Sequence, residues 1–288
     1  MKPCIKRLKR RRRLYLVFLM LTVLLLLAAG WLYYSGRADR AWIAVGLAAL
    51  SLLSTVPVAR EYRDAWLDAH TELAYGRFAE SVDREARPEI NADQVRMLCL
   101  FPLAEDDRAV VWKNRVSASC RGHVLTVTEA SLPIVHEGGR VRETPGCLIH
   151  MDMPRSPASR LRLVGEELMA PEAGVPFFRN YARLYRQEWP LLPKGTALFA
   201  DGMPNEETLR QIAYLLGTNG KKIALSIEGR TMDLFVAGAR ALNAPPAGPR
   251  RIVENELSLM PFNELPRALD LAFDTVGYRL QPDPGNQP

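Results

Sequence analysis

The chain has 288 residues and a mass of 32.3 kDa, with 48% hydrophobic and 24% charged residues, which excludes a disordered tail and a polytopic transporter. Its formal charge of +6 invites a nucleic-acid partner, but eight of the 38 bases lie within residues 1–13, and the remainder holds 30 bases against 32 acids, a net of −2. The positive charge belongs to a short N-terminal stretch, so no nucleic-acid partner is expected.

That stretch, residues 1–13, carries Lys2, Lys6, Arg7, Lys9 and Arg10 to Arg13 without an acid and reads as a basic cytoplasmic tail. Leu14 to Tyr34 follow, 21 residues without a charge. As a helix this run is roughly 31 Å long and matches a hydrocarbon core of about 30 Å. Trp31, Tyr33 and Tyr34 gather at its far end, where amphipathic rings favour the membrane interface. Six residues, SGRADR, separate it from Ala41–Ala59, a second uncharged run of 19. So short a connection permits only an antiparallel hairpin, and residues 14–59 are expected to hold two transmembrane helices. The excess of bases before the first span puts the N-terminus, and everything after the second span, on the cytoplasmic side of the membrane. A cleaved signal peptide ending near Ala28, Ala29 and Gly30 is the rival reading, but the apolar run exceeds a usual signal core and a second span follows it.

Residues 60–88 read as a charged connecting helix closed by Pro88. Tyr62, Trp66, Ala69 and Leu73 form one stripe at helical spacing, and Leu67, Ala74, Phe78 and Val82 form another. Both stripes pack on the same domain, or one of them serves self-association, so a homo-oligomer stays open.

Beyond Leu100 and Phe101 the period changes to two. Trp112, Val116 and Ala118 alternate with polar neighbours, Arg121-Gly122 interrupts, and Leu125 and Val127 resume the alternation, which predicts a hairpin with a two-residue turn. Further strands are expected at Cys147–Met153, Leu161–Val164 and Thr196–Ala200. A second hairpin spans Lys221 to Ala237. A type II′ turn at Gly229-Arg230 pairs Ile227 with Met232, Leu225 with Leu234 and Ile223 with Val236, placing all six side chains on one face. A helix begins at Pro204, buries Leu209, Ile212, Ala213 and Leu216, and ends at Gly217; another is capped by Asn263 and buries Leu265, Leu269, Ala272, Phe273 and Val276. Between them lies the Pro-rich loop ALNAPPAGPRR. The expected fold class is α+β, a transmembrane helical hairpin followed by a cytoplasmic domain over residues 89–280 with a mostly antiparallel sheet, and residues 281–288 form a disordered tail.

Chemistry is sparse. Cys120/His123 and Cys147/His150 share a Cys-x-x-His spacing, and together they make a set of two thiolates and two imidazoles that zinc accepts. Across a two-residue turn the first pair points to one side, whereas in a strand the second pair points to opposite sides, so structural Cys and His are the better reading. His150 and Asp152 share a strand face, with Glu129 and His136 elsewhere in the chain; such a pair could serve acid–base or metal chemistry, but the solvent-facing side of a half-buried strand is the better reading. The phosphate-loop look-alike at Gly217–Lys222 lacks the spacing, and no Gly-x-Ser-x-Gly elbow occurs. In Val175–Trp189, Phe177, Tyr181, Leu184, Tyr185 and Trp189 form one helical face interleaved with Arg179, Arg183 and Arg186, fit for a core, a membrane interface or a partner's groove.

Leu100-Phe101, the run from Gly122 through VLTVTEA, and above all TLRQIAYLLGTNGKKIALSIEGRTMDLFVAG carry a resemblance. Over residues 91–280 the chain resembles a bacterial domain-of-unknown-function family of two-span membrane proteins often encoded near LemA-type proteins. The resemblance implies the layout and the membrane location; it implies no catalytic, cofactor or metal residue. The expected function is that of an integral inner-membrane protein whose cytoplasmic domain is a protein-interaction or regulatory module. The partners are then the lipid bilayer and an unidentified protein. The alternatives are a membrane-bound hydrolase using His150 and Asp152, or a lipid-surface sensor using the basic tail and the Val175–Trp189 face.

Overall fold

The computed structural model describes residues 3–88, 111–135, 140–154, 160–168, 182–184, 196–200, 206–217 and 219–274. They fall into two compact units, one drawn from residues 1–77 and 242–259, the other from 78–241 and 260–288.

The first unit is a helical hairpin with a strap. Helix α1 runs Pro3–Tyr34 and α2 Ala38–Ala74, followed by a 3-10 turn, Tyr75–Arg77. Gly36, at φ 77°, makes the bend between them, a conformation that glycine adopts without a Cβ clash. Both helices are long and apolar enough to cross a membrane. Met20, Leu24, Leu27, Ile43, Leu50 and Leu53 are exposed, the reverse of a soluble core helix and compatible with a lipid surround. Where the helices meet, side chains are small: Ala41, Ala44 and Ala48 are buried, and the Thr22 and Ser51 hydroxyls are hydrogen-bonded at 2.9 Å. Small residues let apolar helices approach closely, and a hydroxyl pair satisfies itself there. Pro57 lies inside α2, which continues past it.

The N-terminal segment is not a free tail. It is the first turns of α1, and Ile5 and Leu8 are fully buried. Being antiparallel, α1 lays these residues against the last turns of α2, where Tyr62, Ala65, Trp66 and Ala69 complete a small core with Leu8 and Leu257. Arg11 pairs with Glu61, and Arg7 Nη1 lies 3.8 Å from Asp68 Oδ2. The stripe Tyr62, Trp66, Ala69 and Leu73 thus has its cover, half of it unforeseen: residues 242–259 pack here as a strap containing a short helix, Glu254–Ser258. Leu257 is fully buried, Arg12 Nε donates to the Pro249 carbonyl at 3.2 Å, and Arg250 sits 5.7 Å over the Trp66 ring. His70 Nδ1 donates to the Leu257 carbonyl at 2.7 Å, since a carbonyl can only accept. Its Nε2 is buried with no hydrogen-bond partner among the described residues.

Among the described residues, the second unit holds one nine-stranded sheet, antiparallel at every pairing, in the order β1-β2-β3-β4-β9-β8-β5-β7-β6. The strands are β1 (Ser81–Glu85), β2 (Val111–Cys120), β3 (His123–Val135), β4 (Val141–Asp152), β5 (Leu161–Gly165), β6 (Ala182–Leu184), β7 (Thr196–Ala200), β8 (Ile223–Glu228) and β9 (Thr231–Ala237). Among the described residues, two helices accompany them, α3 (Glu206–Leu216) and α4 (Glu264–Asp274). The connecting helix expected over 60–88 is corrected here: α2 stops at Ala74 and residues 81–85 form an edge strand. Phe78 and Val82, four apart, fit strand alternation as well as a helical stripe. The helical face expected at 175–189 is corrected at residues 182–184, which pair with β7; the rest of that segment lies outside the described residues, as do Leu100, Phe101, His136, Pro204 and Val276.

Both predicted hairpins form. Arg121 and Gly122 both have positive φ, and Cys120 pairs with His123. Gly229 has φ 58°, and Ile227, Leu225 and Ile223 face Met232, Leu234 and Val236. One face of the sheet buries these six with Val127, Ile149 and Leu163. At one end of the other face, Leu132, Leu148, Val164, Phe199, Ala224 and Phe235 form a second apolar cluster. The helices bury Leu209, Ile212, Leu215 and Leu216 of α3 and Leu265, Ala268, Leu269, Leu271 and Ala272 of α4.

Two outcomes test this fold. A Cβ at Gly165 would run into the backbone of Gly220 and Lys221. Gly165→Ala should therefore cost about 1–3 kcal/mol, visible as a lowered Tm. Burial lowers the pKa of His70, against the favourable bond to Leu257. A depressed imidazole pKa keeps the strap fully docked above the free value, about 6.5, and weakens docking as pH falls through the folded value. Hydrogen exchange across 242–259, corrected for intrinsic rates, should show protection lost on acidification in the wild type and a much weaker pH dependence in His70→Phe.

Candidate functional site

The alternation that buries the two apolar clusters also lines up a polar row. Thr126 of β3 faces His150 of β4, His150 faces Asp233 of β9, Asp233 faces Ser226 of β8, and Ser226 faces Arg162 of β5. Neighbouring strands lie about 4.8 Å apart, so the row runs about 19 Å across one face of the sheet. Asp233, Ser226 and Arg162 are buried, whereas Thr126 and His150 are half-buried.

His150 Nδ1 lies 2.7 Å from Asp233 Oδ1. The Asp233 side chain is only 5% exposed, and the imidazole N–H supplies the partner that a buried carboxylate requires. This bond orients the ring and turns Nε2 outward, 3.8 Å from Asp152 Oδ1, with the imidazole 37% exposed. The hydrogen bond to Asp233 raises the His150 pKa against the opposing effect of burial; the charges of Asp233 and Asp152 add to the rise, and Arg115 opposes it. Farther along, Glu228 accepts from Arg162 and lies 3.4 Å from Arg160 Nη1. A buried guanidinium held by a carboxylate keeps this end of the row fixed.

The sequence-derived candidates separate on this geometry. His150 and Asp152 come together as expected, and Asp233 joins them. Glu129 is paired with Cys147 and so projects from the other face, where it accepts from Asn114 Nδ2 at 2.9 Å. Asn114 is the extra residue of a bulge in β2, with φ 42°. Cys147 and His150 project from opposite faces of β4, and among the described residues no cluster of three or more His, Cys, Asp or Glu is placed to hold a metal. Burial pushes the Cys120 thiol up to about 11 and the Cys147 thiol well above its usual value, with Glu80 and Glu129 adding to the respective shifts. Glu264, at the start of α4, also raises Cys147, which places that helix near this thiol-bearing face. Asp233 was the residue missed. Its signal was available: it stands in β9 on the side opposite the six apolar residues of the hairpin.

Chemically, the arrangement is an imidazole fixed in one orientation by a buried acid, with a second carboxylate beside its open nitrogen. It can exchange a proton or recognise a polar group. Among the described residues its hydrogen bonding is confined to Asp233, and no nucleophile stands on Nε2. A raised histidine pKa means that the His150–Asp233 bond contributes fully below about pH 6.5 and is lost as pH rises through the folded value. Asp233→Asn should shift the His150 titration to lower pH in an NMR titration and remove the acid-side part of the stability difference between pH 6 and pH 9.

No known family's sequence profile matches the chain, and no curated protein matches it by sequence. Among solved structures, the mycobacterial trehalose monomycolate transport factor A, TtfA, aligns over 74% of this chain and 88% of its own, at 12% identity and a TM-score of 0.32.

Proposed function

We propose that this chain is an integral inner-membrane protein with two spans and both termini in the cytoplasm, and that its sheet unit is a protein-interaction or regulatory module. The observation that carries the interaction reading is the polar row centred on His150. It is held rigid from beneath by Asp233, presents Nε2 and Asp152 to the surroundings, and among the described residues has no nucleophile hydrogen-bonded to Nε2. Preorganised polar groups on a rigid sheet give a partner specificity at little ordering cost. Tethering such a surface to the bilayer raises its effective concentration towards other membrane-bound proteins. The membrane location rests on the two long apolar helices, and the orientation on the eight bases that precede the first span.

A photo-crosslinking residue at Thr126, introduced into the full-length protein in native membranes, should give a discrete protein adduct that His150→Gln reduces at least about fivefold. The same probe at Tyr214 should give none. A reporter fused after residue 288 should be active in the cytoplasm. The hydrolase reading draws on the same pair of residues, since a buried carboxylate orienting an imidazole is an acid–base arrangement. Ester or amide turnover by the reconstituted protein, abolished by His150→Gln, would favour it over the interaction reading.

A further inference from the structure

The eight bases of the N-terminal segment are not equivalent once that segment is helical. Arg11 and Arg12 reach Glu61 and the Pro249 carbonyl, and Arg7, although exposed, lies beside Asp68. Lys6, Arg10 and Arg13 turn the other way, spaced four and three residues apart, which at 100° per residue gathers them in one stripe. All three are exposed, and none pairs with an acid among the described residues. With Lys9, Leu14 and Val17 they line an open groove of about 430 Å³. Val17, in the same stripe, is 61% exposed and already belongs to the apolar run, while Arg13 directly precedes it.

We propose that this stripe binds the phosphate of an anionic phospholipid headgroup. The inference rests on the reading of α1 as a membrane span, because that reading sets Arg13 at the headgroup level and Leu14 and Val17 against the acyl chains. Three cations on one helical face are opposite in sign to a phosphodiester and exceed its single charge, and the apolar residues directly after them match the rest of the lipid. Arg11 and Arg12, engaged with an acid and a carbonyl, already tie the helix down, so the outward bases need not serve the fold. Each base near a membrane surface contributes roughly a fivefold gain in association with anionic lipid, less where salt screens it. A rigid helix presents three of them together without the ordering cost that a disordered basic tail carries.

The test uses the full-length protein in vesicles of phosphatidylcholine with 30% phosphatidylglycerol, and reads the motionally restricted fraction of spin-labelled lipid. Wild type should prefer labelled phosphatidylglycerol to phosphatidylcholine by at least about fivefold, the value that a single base contributes. The triple variant Lys6→Gln, Arg10→Gln, Arg13→Gln should lose that preference. The acid-facing pair Arg7→Gln, Arg11→Gln removes as much charge per residue and should keep it. Equal loss in both variants, or no preference in the wild type, overturns the proposal, as does abolition of the preference by millimolar inorganic phosphate, which would mark a free-anion site. Alkaline carbonate washing of cell membranes separates this from the membrane reading: release of the wild type by carbonate would end that reading itself, whereas a retained protein without lipid preference ends only the headgroup site.

Discussion

A three-residue bend between two long helices leaves them no choice but to run back along one another, and this constraint sets the helical unit. Residues at nearly the same separation from Gly36 come side by side: Thr22 meets Ser51 and Arg11 meets Glu61. Because both helices continue beyond their apolar runs, the same geometry builds a polar-shelled base with a small core of Leu8, Tyr62, Ala65, Trp66 and Ala69. Two helices cannot enclose such a core alone. The strap supplies the third wall, and its Leu257 fills the space that remains.

In the sheet unit the governing constraint is the strict alternation of strand side chains. β4, β9, β8 and β5 are flanked by strands on both sides, so they must bury one face wholly and divide the other. The divided face has an apolar end around Phe235 and a polar end around Asp233, two residues away on the same strand. Burial of Asp233 is tolerated because His150 answers it directly, and burial of Arg162 because Glu228 does. The candidate site is thus the place where a packed sheet carries charge, a local departure from apolar patterning of the kind that function tolerates.

Local signals were the legible ones. The two hairpin registers followed from Gly122 and Gly229 with the apolar residues around them, and the two apolar helices followed from run length alone. Pairings distant in sequence were not legible. His150 and Asp152 stood out as a pair, but their buried partner required knowing that β4 lies beside β9, 83 residues from His150 to Asp233. The strap had no periodicity to announce it, since ALNAPPAGPRR reads as an ordinary loop and Leu257 as one leucine among many. The basic segment was read by charge, although Ile5 and Leu8 already stood three apart on what is now its buried side.

The strap also orders events in time. Leu257 leaves the ribosome about 180 residues after Ala74, which at roughly 5–20 residues per second is a delay of about 10–40 s. During that interval the hairpin has its complete sequence, yet Tyr62, Trp66 and His70 have no third wall. Biogenesis therefore passes through an open-sided helical hairpin whose aromatic flank is available to a chaperone or to a second nascent copy, and closure waits for the late-made segment to arrive.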